Sequence, residues 1–262
     1  MINVLKETEK EFAKFTEFKY CILTNSGTSS LFTIYKAIGL DWFNEVITTP
    51  FTYYSTVNML QTNEFNTNVK FADINKSDYL INPKEVKKLI TKNTKAIVAV
   101  NLFGKEVNYS KLKFKNIPLV IDSCQCCKPG IKGDIVAFSF QRSKNFNTGE
   151  GGAICTNDAR LAKLCRLIVN QGEDTKYHTI CIGYNFRMSE YLALMLYNQI
   201  KYHSVGGLAE LGRYSIKNSH YPRVVYDQPY YHKNGLYEQW IGKCPIAEET
   251  AKLVRTKYWC KK

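Results

Sequence analysis

The stretch that decides the fold is Phe138-Ser-Phe-Gln-Arg-Ser-Lys144-Asn-Phe-Asn-Thr-Gly-Glu150-Gly-Gly152. It places the hydroxyl of Ser139 at the end of a strand-like apolar run and Lys144 just after it, ahead of a glycine-rich turn. A lysine held in this way can form a Schiff base with a carbonyl group. Surface loops also carry lysines, and 36 residues of the chain are Lys or Arg, so other features must support this interpretation.

The composition is that of a globular protein. The chain has 262 residues, of which 45% are hydrophobic and 23% charged, so it can bury a sizeable core. Nine cysteines are present, and the first residues lack the apolar stretch of a signal peptide. The longest apolar run, 191–197, is too short to cross a membrane. We therefore expect a soluble cytoplasmic protein with reduced thiols and no membrane partner.

The net charge of +13 raises the question of a nucleic-acid partner. The lysines are spread along the whole chain rather than concentrated in one tract, which is typical of a solvated basic surface. Such a surface also suits an anionic small substrate. We expect no nucleic-acid partner.

Strand-like and helical patterns alternate, which predicts an α/β domain with a mostly parallel seven-stranded sheet, flanking helices and a reduced C-terminal portion. The predicted strands are 20–23, 45–49, 69–74, 96–103, 119–121, 135–140 and 152–156. Helices are predicted over 84–90, after Asn82 and Pro83, and over 189–200, with Ser189 as the N-cap. From about His203 the apolar periodicity thins out, so we predict domains over 1–203 and 204–262.

The segment Thr24-Asn-Ser-Gly-Thr28-Ser29-Ser follows a predicted strand and opens a helix. Free amides of the first helical turn, with the hydroxyls of Thr28 and Ser29, are typical of an anion site. A plain Ser/Thr helix cap is the alternative. The chain contains neither a Walker loop nor a Gly-x-Gly-x-x-Gly motif, so the predicted phosphate does not belong to a nucleoside triphosphate or a dinucleotide.

Asp122 ends the apolar run 118–122, a place where open α/β sheets bind ligands. Its carboxylate can pair with a protonated pyridine nitrogen, and Gln125 can reach a ring hydroxyl. A helix cap or a salt bridge is the alternative for Asp122. Tyr53 follows the second predicted strand and suits stacking on a flat ring, although single aromatic residues more often pack in a core.

Taken in order, these motifs resemble the DegT/StrS-type sugar aminotransferases, which depend on pyridoxal phosphate (PLP) and have the fold-type-I architecture. The shared series is Ser-Gly-Thr, Thr-aromatic-x-x-Thr, Asp-x-x-Gln, Ser-Phe-x-x-x-Lys, Thr-Gly-Glu-Gly-Gly and Gly-x-Asn-x-Arg-Met, over roughly residues 5–203. The chain departs from the family in being short at both ends and in carrying Asn101 where a histidine is frequent.

The resemblance implies a role for each matching residue. Lys144 forms the Schiff base with PLP, Asp122 holds the pyridine nitrogen, and Gln125 contacts the ring hydroxyl. The other implied cofactor contacts are Tyr53 on the ring, and Thr28, Ser29, Ser139 and a neighbouring subunit's Asn185 at the phosphate. This implies a homodimer with shared active sites. Arg187 is implied to contact the substrate carboxylate or diphosphate, with an internal salt bridge as the alternative.

The implied activity is transfer of an amine, with glutamate as donor, to a keto sugar linked to a nucleoside diphosphate. The alternative is a truncated, catalytically impaired homologue that binds PLP or acts as a scaffold. Sugar dehydration is disfavoured, because the relatives with that chemistry replace the lysine with histidine. Zinc binding by the Cys-x-x-Cys pair of 124–127 and the His and Cys of 178–181 is disfavoured as well, because Gln125 has a role at PLP and neither pair has the surroundings of a zinc knuckle. We therefore predict no metal site.

Overall fold

Strands and helices alternate along the residues that the computed structural model describes, 3–202 and 221–255. The helices are α1 (Val4–Thr16), α2 (Gly27–Ala37), α3 (Ser55–Asn58), α4 (Pro83–Leu89), α5 (Tyr109–Leu112), α6 (Ala159–Val169), α7 (Glu190–Tyr202), α8 (Pro229–Lys233), α9 (Leu236–Trp240) and α10 (Pro245–Val254). The strands are β1 (Tyr20–Thr24), β2 (Glu45–Thr48), β3 (Asn68–Phe71), β4 (Thr94–Val100), β5 (Leu119–Asp122), β6 (Ile135–Ser139), β7 (Gly152–Thr156), β8 (Glu173–Thr175) and β9 (His178–Thr179).

Seven of these strands form one sheet in the order β1-β7-β6-β5-β4-β2-β3. Strand β2 pairs in parallel with β3 and β4, and β5 pairs in parallel with β6. Strand β7 runs antiparallel to both β1 and β6. Every residue of β5 and β7 is buried, as expected for strands covered on both faces. The predicted α/β class with a mostly parallel seven-stranded sheet is confirmed.

The chain divides into two compact units, and residues 1–40 and 120–211 form the first. In this unit α1 packs along α7, where Thr8 donates a hydrogen bond to the carbonyl of Ala193 at 3.1 Å. Phe12 is fully buried in the centre of α1. The rings of Phe138, Phe140 and Phe146 meet it edge to face, with centroids 5.1 to 5.9 Å away. These rings join α1 to β6 and to the turn that carries Lys144.

Residues 41–119 and 212–262 form the second unit. The buried carboxylate of Asp73 accepts hydrogen bonds from the amides of Ile246 and Ala247, both at 2.9 Å, and so satisfies the first turn of α10. The hydroxyl of Tyr226 donates to Glu248 at 2.6 Å. Described residues 221–255 therefore pack on the segments around β3. The predicted boundary near residue 203 lies outside the described residues and stays a prediction.

Two strands end three residues earlier than their sequence pattern suggests. Strand β4 stops at Val100 instead of continuing to residue 103, because Phe103 takes a positive φ of 54° and the side chain of Asn101 accepts a hydrogen bond from the amide of Val107 at 2.9 Å. Strand β3 stops at Phe71, just before Asp73. Asp73 accepts a hydrogen bond from the amide of Ile74 at 2.8 Å, so in both places a polar side chain bonds to the backbone that follows and ends the apolar run.

The predicted caps at the starts of two helices are confirmed, whereas α4 ends at residue 89 instead of 90 and α7 at residue 202 instead of 200. The side chain of Asn82 accepts from the amide of Lys84 at 2.9 Å, and Pro83 opens α4. Ser189 precedes α7, and its hydroxyl accepts from the amide of Leu192 at 3.4 Å. Both caps satisfy amides that have no partner within the helix.

Candidate active site

Several strand ends meet at one edge of the sheet in the first unit. Thr24 ends β1 and Ser139 ends β6, and both pair with Gly152, the first residue of β7. Asp122 ends β5, which runs parallel to β6. The carboxyl ends of β1, β5 and β6 therefore lie along the same edge, which is where α/β sheets bind ligands. The register thus brings together predicted site residues that lie far apart in the sequence.

The first turn of α2 opens at this edge. Ser26 is its N-cap, and its hydroxyl oxygen accepts from the amide of Ser29 at 3.0 Å and lies 2.9 Å from the Ser29 hydroxyl. Thr28 is in the same turn and, like Ser29, half-buried. The cap interpretation therefore applies to Ser26. The predicted anion site over Thr28 and Ser29 stays a prediction that this geometry allows, since a helix N-terminus favours negative charge.

Gly27 shows how closely the parts of this edge approach one another. A Cβ atom at this position would lie 2.8 Å from the Cβ of Ser139 and 2.9 Å from the sulfur of Cys124. Both distances are shorter than van der Waals contact, so a side chain at residue 27 would have to displace its neighbours. The first turn of α2, the end of β6 and the loop after β5 are therefore in direct contact.

Asp122 is a buried carboxylate, with 5% of its surface exposed. Its Oδ1 accepts a hydrogen bond from the amide of Cys124 at 3.1 Å. Burial and the charge of Asp122 raise the pKa of the Cys124 thiol, and the charge of Lys144 opposes this shift. Burial and Asp122 also raise the pKa of Tyr35, which has no exposed surface. Asp122, Cys124 and Lys144 thus share one electrostatic environment.

Gln125 lies in the same loop and is 9% exposed. Its predicted contact with a ring hydroxyl stays a prediction. The sequence motifs miss Cys124 as a site residue, because its spacing from Cys127 indicates only a zinc pair. Its position in the sequence between Asp122 and Gln125, both predicted site residues, is the feature that could have indicated a place in the site. Among residues 3–202 and 221–255, no group of three or more His, Cys, Asp and Glu side chains is arranged to bind a metal ion.

The turn that carries Lys144 is fixed at several points. The amide of Lys144 donates to the carbonyl of Gln141 at 2.8 Å. Asn147 and Gln199 of α7 exchange two hydrogen bonds, at 2.8 and 2.6 Å. Phe146, 2% exposed, packs beside Phe12. A half-buried lysine on an anchored turn loses less freedom when it reacts than a lysine on a mobile loop.

The segment with Asn185 and Arg187 runs beside the turn before α2. The amide of Asn25 donates to the carbonyl of Phe186 at 2.8 Å, and its side chain donates to the carbonyl of Asn185 at 3.4 Å. The side chain of Asn185 is exposed. Arg187 donates from Nη1 to the neutral Oδ1 of Asn170 at 3.0 Å and is also exposed. The predicted roles of Asn185 and Arg187 stay predictions.

Tyr53 belongs to the second unit, unlike the other predicted site residues. Its side chain is 44% exposed, its hydroxyl donates to that of Tyr54 at 2.8 Å, and the two ring centroids lie 4.1 Å apart. Burial and the hydrogen bond with Tyr54 raise the pKa of Tyr53 to about 12. The phenol therefore stays protonated near neutral pH. Its predicted stacking on a cofactor ring stays a prediction.

The fold and this sheet edge define an α/β protein with a lysine, a buried carboxylate and a helix N-terminus around one site. The sequence matches the DegT/DnrJ/EryC1/StrS aminotransferase family over residues 3–204. The chain belongs to this family, which confirms the resemblance in the sequence.

Two of the following curated relatives are named as an aminotransferase or a transaminase of a sugar nucleotide. A UDP-2-acetamido-2-deoxy-3-oxo-D-glucuronate aminotransferase of Pseudomonas aeruginosa is 33% identical over 202 residues, which are 72% of this chain and 56% of that protein. A dTDP-3-amino-3,6-dideoxy-alpha-D-galactopyranose transaminase of Aneurinibacillus thermoaerophilus is 32% identical over 74% of this chain and 56% of that protein. A pleiotropic regulatory protein of Geobacillus stearothermophilus is 30% identical over 74% and 55%. The chain spans little more than half the length of these relatives.

Solved structures share the fold. Helicobacter pylori PseC, an aminotransferase involved in the biosynthesis of pseudoaminic acid, is 30% identical with a TM-score of 0.70, over 77% of this chain and 58% of that chain. Bacillus subtilis NtdA, solved with the bound cofactor PMP, has a TM-score of 0.81 at 22% identity, over 96% of this chain and 71% of that chain. None of the helices among the described residues has the length and apolar character needed to cross a membrane.

Proposed function

We propose that the protein is a PLP-dependent aminotransferase that converts a nucleotide-linked keto sugar into an amino sugar nucleotide, with glutamate as amino donor. The observation that carries the proposal is the close approach at Gly27, where the start of α2 touches Ser139 and Cys124. Asp122 and Lys144 share the environment of Cys124. Because the chain belongs to an aminotransferase family, we assign these residues to PLP binding and amine transfer.

The residues present fit PLP. The glycine at position 27 lets the start of α2 lie directly against Ser139 and Cys124. The hydroxyls of Thr28, Ser29 and Ser139 and the first amides of α2 are suitable phosphate partners. A buried carboxylate such as Asp122 is suited to a protonated pyridine nitrogen. Lys144 supplies the amine for covalent attachment. Gln125, Tyr53 and a neighbouring subunit's Asn185 complete the proposed contacts.

When bound, PLP supplies an electron sink next to the substrate carbon. Asp122 keeps the proton on the ring nitrogen, which preserves that property. Lys144 Nζ would serve as the base that takes the proton from the α-carbon of the amino donor and as the acid that returns it. The anchored turn around Lys144 limits the movement needed for this transfer. The exposed guanidinium of Arg187 is available for a carboxylate or diphosphate.

A homodimer is part of the proposal. Large apolar side chains are exposed in the unit that contains Asn185. They lie on the hairpin of β8 and β9, on the segment after it and on α7, and they are Tyr177, Ile180, Ile182, Tyr191, Leu194, Met195 and Tyr202. Exposed apolar surface of this kind is typical of an interface. A second copy that covers it would carry its own Asn185 towards the first copy's site. The cytoplasmic location stays a prediction from the free cysteines.

A regulatory protein that binds PLP without turnover is the second candidate, favoured by the relative of Geobacillus stearothermophilus. Both candidate functions predict that PLP attaches covalently to Lys144. They differ in the response to glutamate, which converts the cofactor to its amine form only in a working enzyme.

The test is a visible spectrum of the purified protein with PLP, followed by borohydride reduction and peptide mass mapping. Label on Lys144 that disappears when glutamate is added before reduction is the result expected for an aminotransferase. Label that glutamate leaves in place would favour the regulator. No label on Lys144 would overturn both candidates.

A further inference from the structure

An open groove of about 470 Å³ lies in the second unit. It runs between α3 with the turn that follows and the start of α8. Tyr54 and Tyr230 line it and are 44% and 61% exposed. None of the described residues that line the groove carries a charge. Its surface is therefore aromatic and amide in character, which differs from the basic surface that the net charge of +13 suggests.

Internal hydrogen bonds fix the polarity of two amide side chains in the groove. The hydroxyl of Tyr231 donates to Oδ1 of Asn58 at 2.6 Å. The NH₂ group of Asn58 is then the group left for a ligand. Gln61 donates its Nε2 to the carbonyl of Thr67 at 2.8 Å, which leaves its Oε1 as an acceptor.

Asn58 and Gln61 are three residues apart on one continuous helical stretch, α3 followed by a 3₁₀ turn. Side chains at this spacing lie on the same face of a helix. The groove thus offers a donor from Asn58 beside an acceptor from Gln61, next to exposed tyrosine rings. A ligand that satisfies all of these groups has a flat aromatic ring with an acceptor and a donor adjacent on one edge.

We infer that this groove binds the base of a nucleotide. Each nucleobase has a face that stacks on aromatic rings and an edge with neighbouring donor and acceptor groups. In uracil, for example, N3–H would donate to Oε1 of Gln61 and a ring carbonyl would accept from Nδ2 of Asn58. The inference rests on the proposed function, since the base belongs to the sugar nucleotide.

Other ligands fit the groove less well. A purely apolar ligand would leave the polar groups of Asn58 and Gln61 without partners. The diphosphate would find no cation among the described lining residues. The groove also adjoins Tyr53, because Tyr54 bonds to its hydroxyl at 2.8 Å. The base site is therefore continuous with a residue that the proposed function assigns to the cofactor.

The experiment titrates the full chain with PLP bound, using uridine, thymidine, guanosine, adenosine and cytidine, which lack phosphate. Saturation-transfer NMR detects contact with the base, and tyrosine fluorescence gives the dissociation constant. We expect saturable binding of at least one nucleoside, with an affinity that an excess of pyrophosphate does not change. No saturable binding, or binding that pyrophosphate displaces, would overturn the inference.

Variants separate the groove from the rest of the surface. Tyr230→Ala removes an exposed stacking ring and should weaken nucleoside binding about tenfold or more. Asn58→Asp keeps an oxygen for Tyr231 but removes the donor, and should weaken binding by a similar factor. Trp42→Ala is the matched control, because Trp42 is 68% exposed in the same unit and does not line the groove. Equal affinity in Tyr230→Ala and Trp42→Ala would contradict the inference.

The glutamate reaction, run on the same samples, distinguishes this inference from the proposed function. Tyr230→Ala should react with glutamate as the unchanged protein does. A protein that reacts with glutamate but binds no nucleoside would overturn only the inference that the groove binds a base. A protein that binds nucleosides through Tyr230 but never reacts with glutamate would overturn the transaminase proposal and leave a nucleoside site.

Discussion

The sheet edge around Asp122 and the groove beside Tyr54 are built in opposite ways. The sheet edge gathers a buried carboxylate, a lysine and a helix N-terminus, which suit a charged cofactor. The groove gathers tyrosine rings and amides with no charge among its described lining residues. Electrostatic partners dominate the first region and stacking dominates the second. Changes of charge should therefore affect the sheet edge strongly and the groove little.

The largest effect is expected for Lys144→Ala. Loss of the amine removes covalent attachment and the proton carrier, so the glutamate half-reaction should fall by roughly 100- to 10,000-fold or more. Stopped-flow absorbance measures the rate, and mass mapping after borohydride should find no label on residue 144. Nucleoside binding should stay as it is. An unchanged cofactor spectrum would refute the assignment of Lys144.

The next effect tests the shared site. Lys144→Ala and Asn185→Ala proteins are each expected to have little activity. Mixed in equal amounts and allowed to exchange subunits, they should regain about a quarter of the unmixed wild-type activity, because half of the dimers are mixed and each has one intact site. Sedimentation gives the oligomeric state. No recovery in a mixture that demonstrably exchanges subunits would show that Asn185 acts within its own subunit.

A smaller effect is expected for Asp122→Asn. A hydrogen bond to a charged group contributes about 1.5–3 kcal/mol, so the half-reaction should slow by roughly 10- to 100-fold. The variant has a second readout. Because the charge of Asp122 raises the pKa of Cys124, removing it should shift alkylation of Cys124 to lower pH. Peptide mapping of alkylation against pH measures this. A midpoint that stays in place would show that burial alone controls the thiol.

The smallest effect comes from the helix caps. Ser26→Ala should lower the free energy of unfolding by about 0.5–2 kcal/mol and also weaken cofactor binding, because Ser26 orders the first turn of α2. Asn82→Ala is the matched control, since Asn82 caps α4 in the other unit. It should lower stability alone. Denaturant unfolding measures the free energy of unfolding, and titration measures the cofactor affinity. Equal cofactor affinity in both variants would show that Ser26 does not contribute to the cofactor site.

Much of the fold could be predicted from the chain. The apolar runs that become β5, β6 and β7 are short and bounded by polar residues, and the structure keeps them close to their predicted ends. The prediction was less accurate where a polar side chain ends a strand by accepting a hydrogen bond from a later backbone amide, as Asn101 does after β4 and Asp73 after β3. Apolar periodicity carries no information on such bonds, because their partners lie in later parts of the chain.

The sequence by itself determined the α/β class and the family, because motifs with fixed local spacing encode strand ends and helix starts. It also predicts the site roles of Lys144, Asp122 and Ser139, which stay predictions. The tertiary structure alone decided that Cys124 lies against Gly27, and that Tyr231 meets Asn58 across 173 positions of the chain to form the groove. The physical reason is that local spacing fixes which residues follow a strand, whereas packing and strand register decide which distant side chains meet.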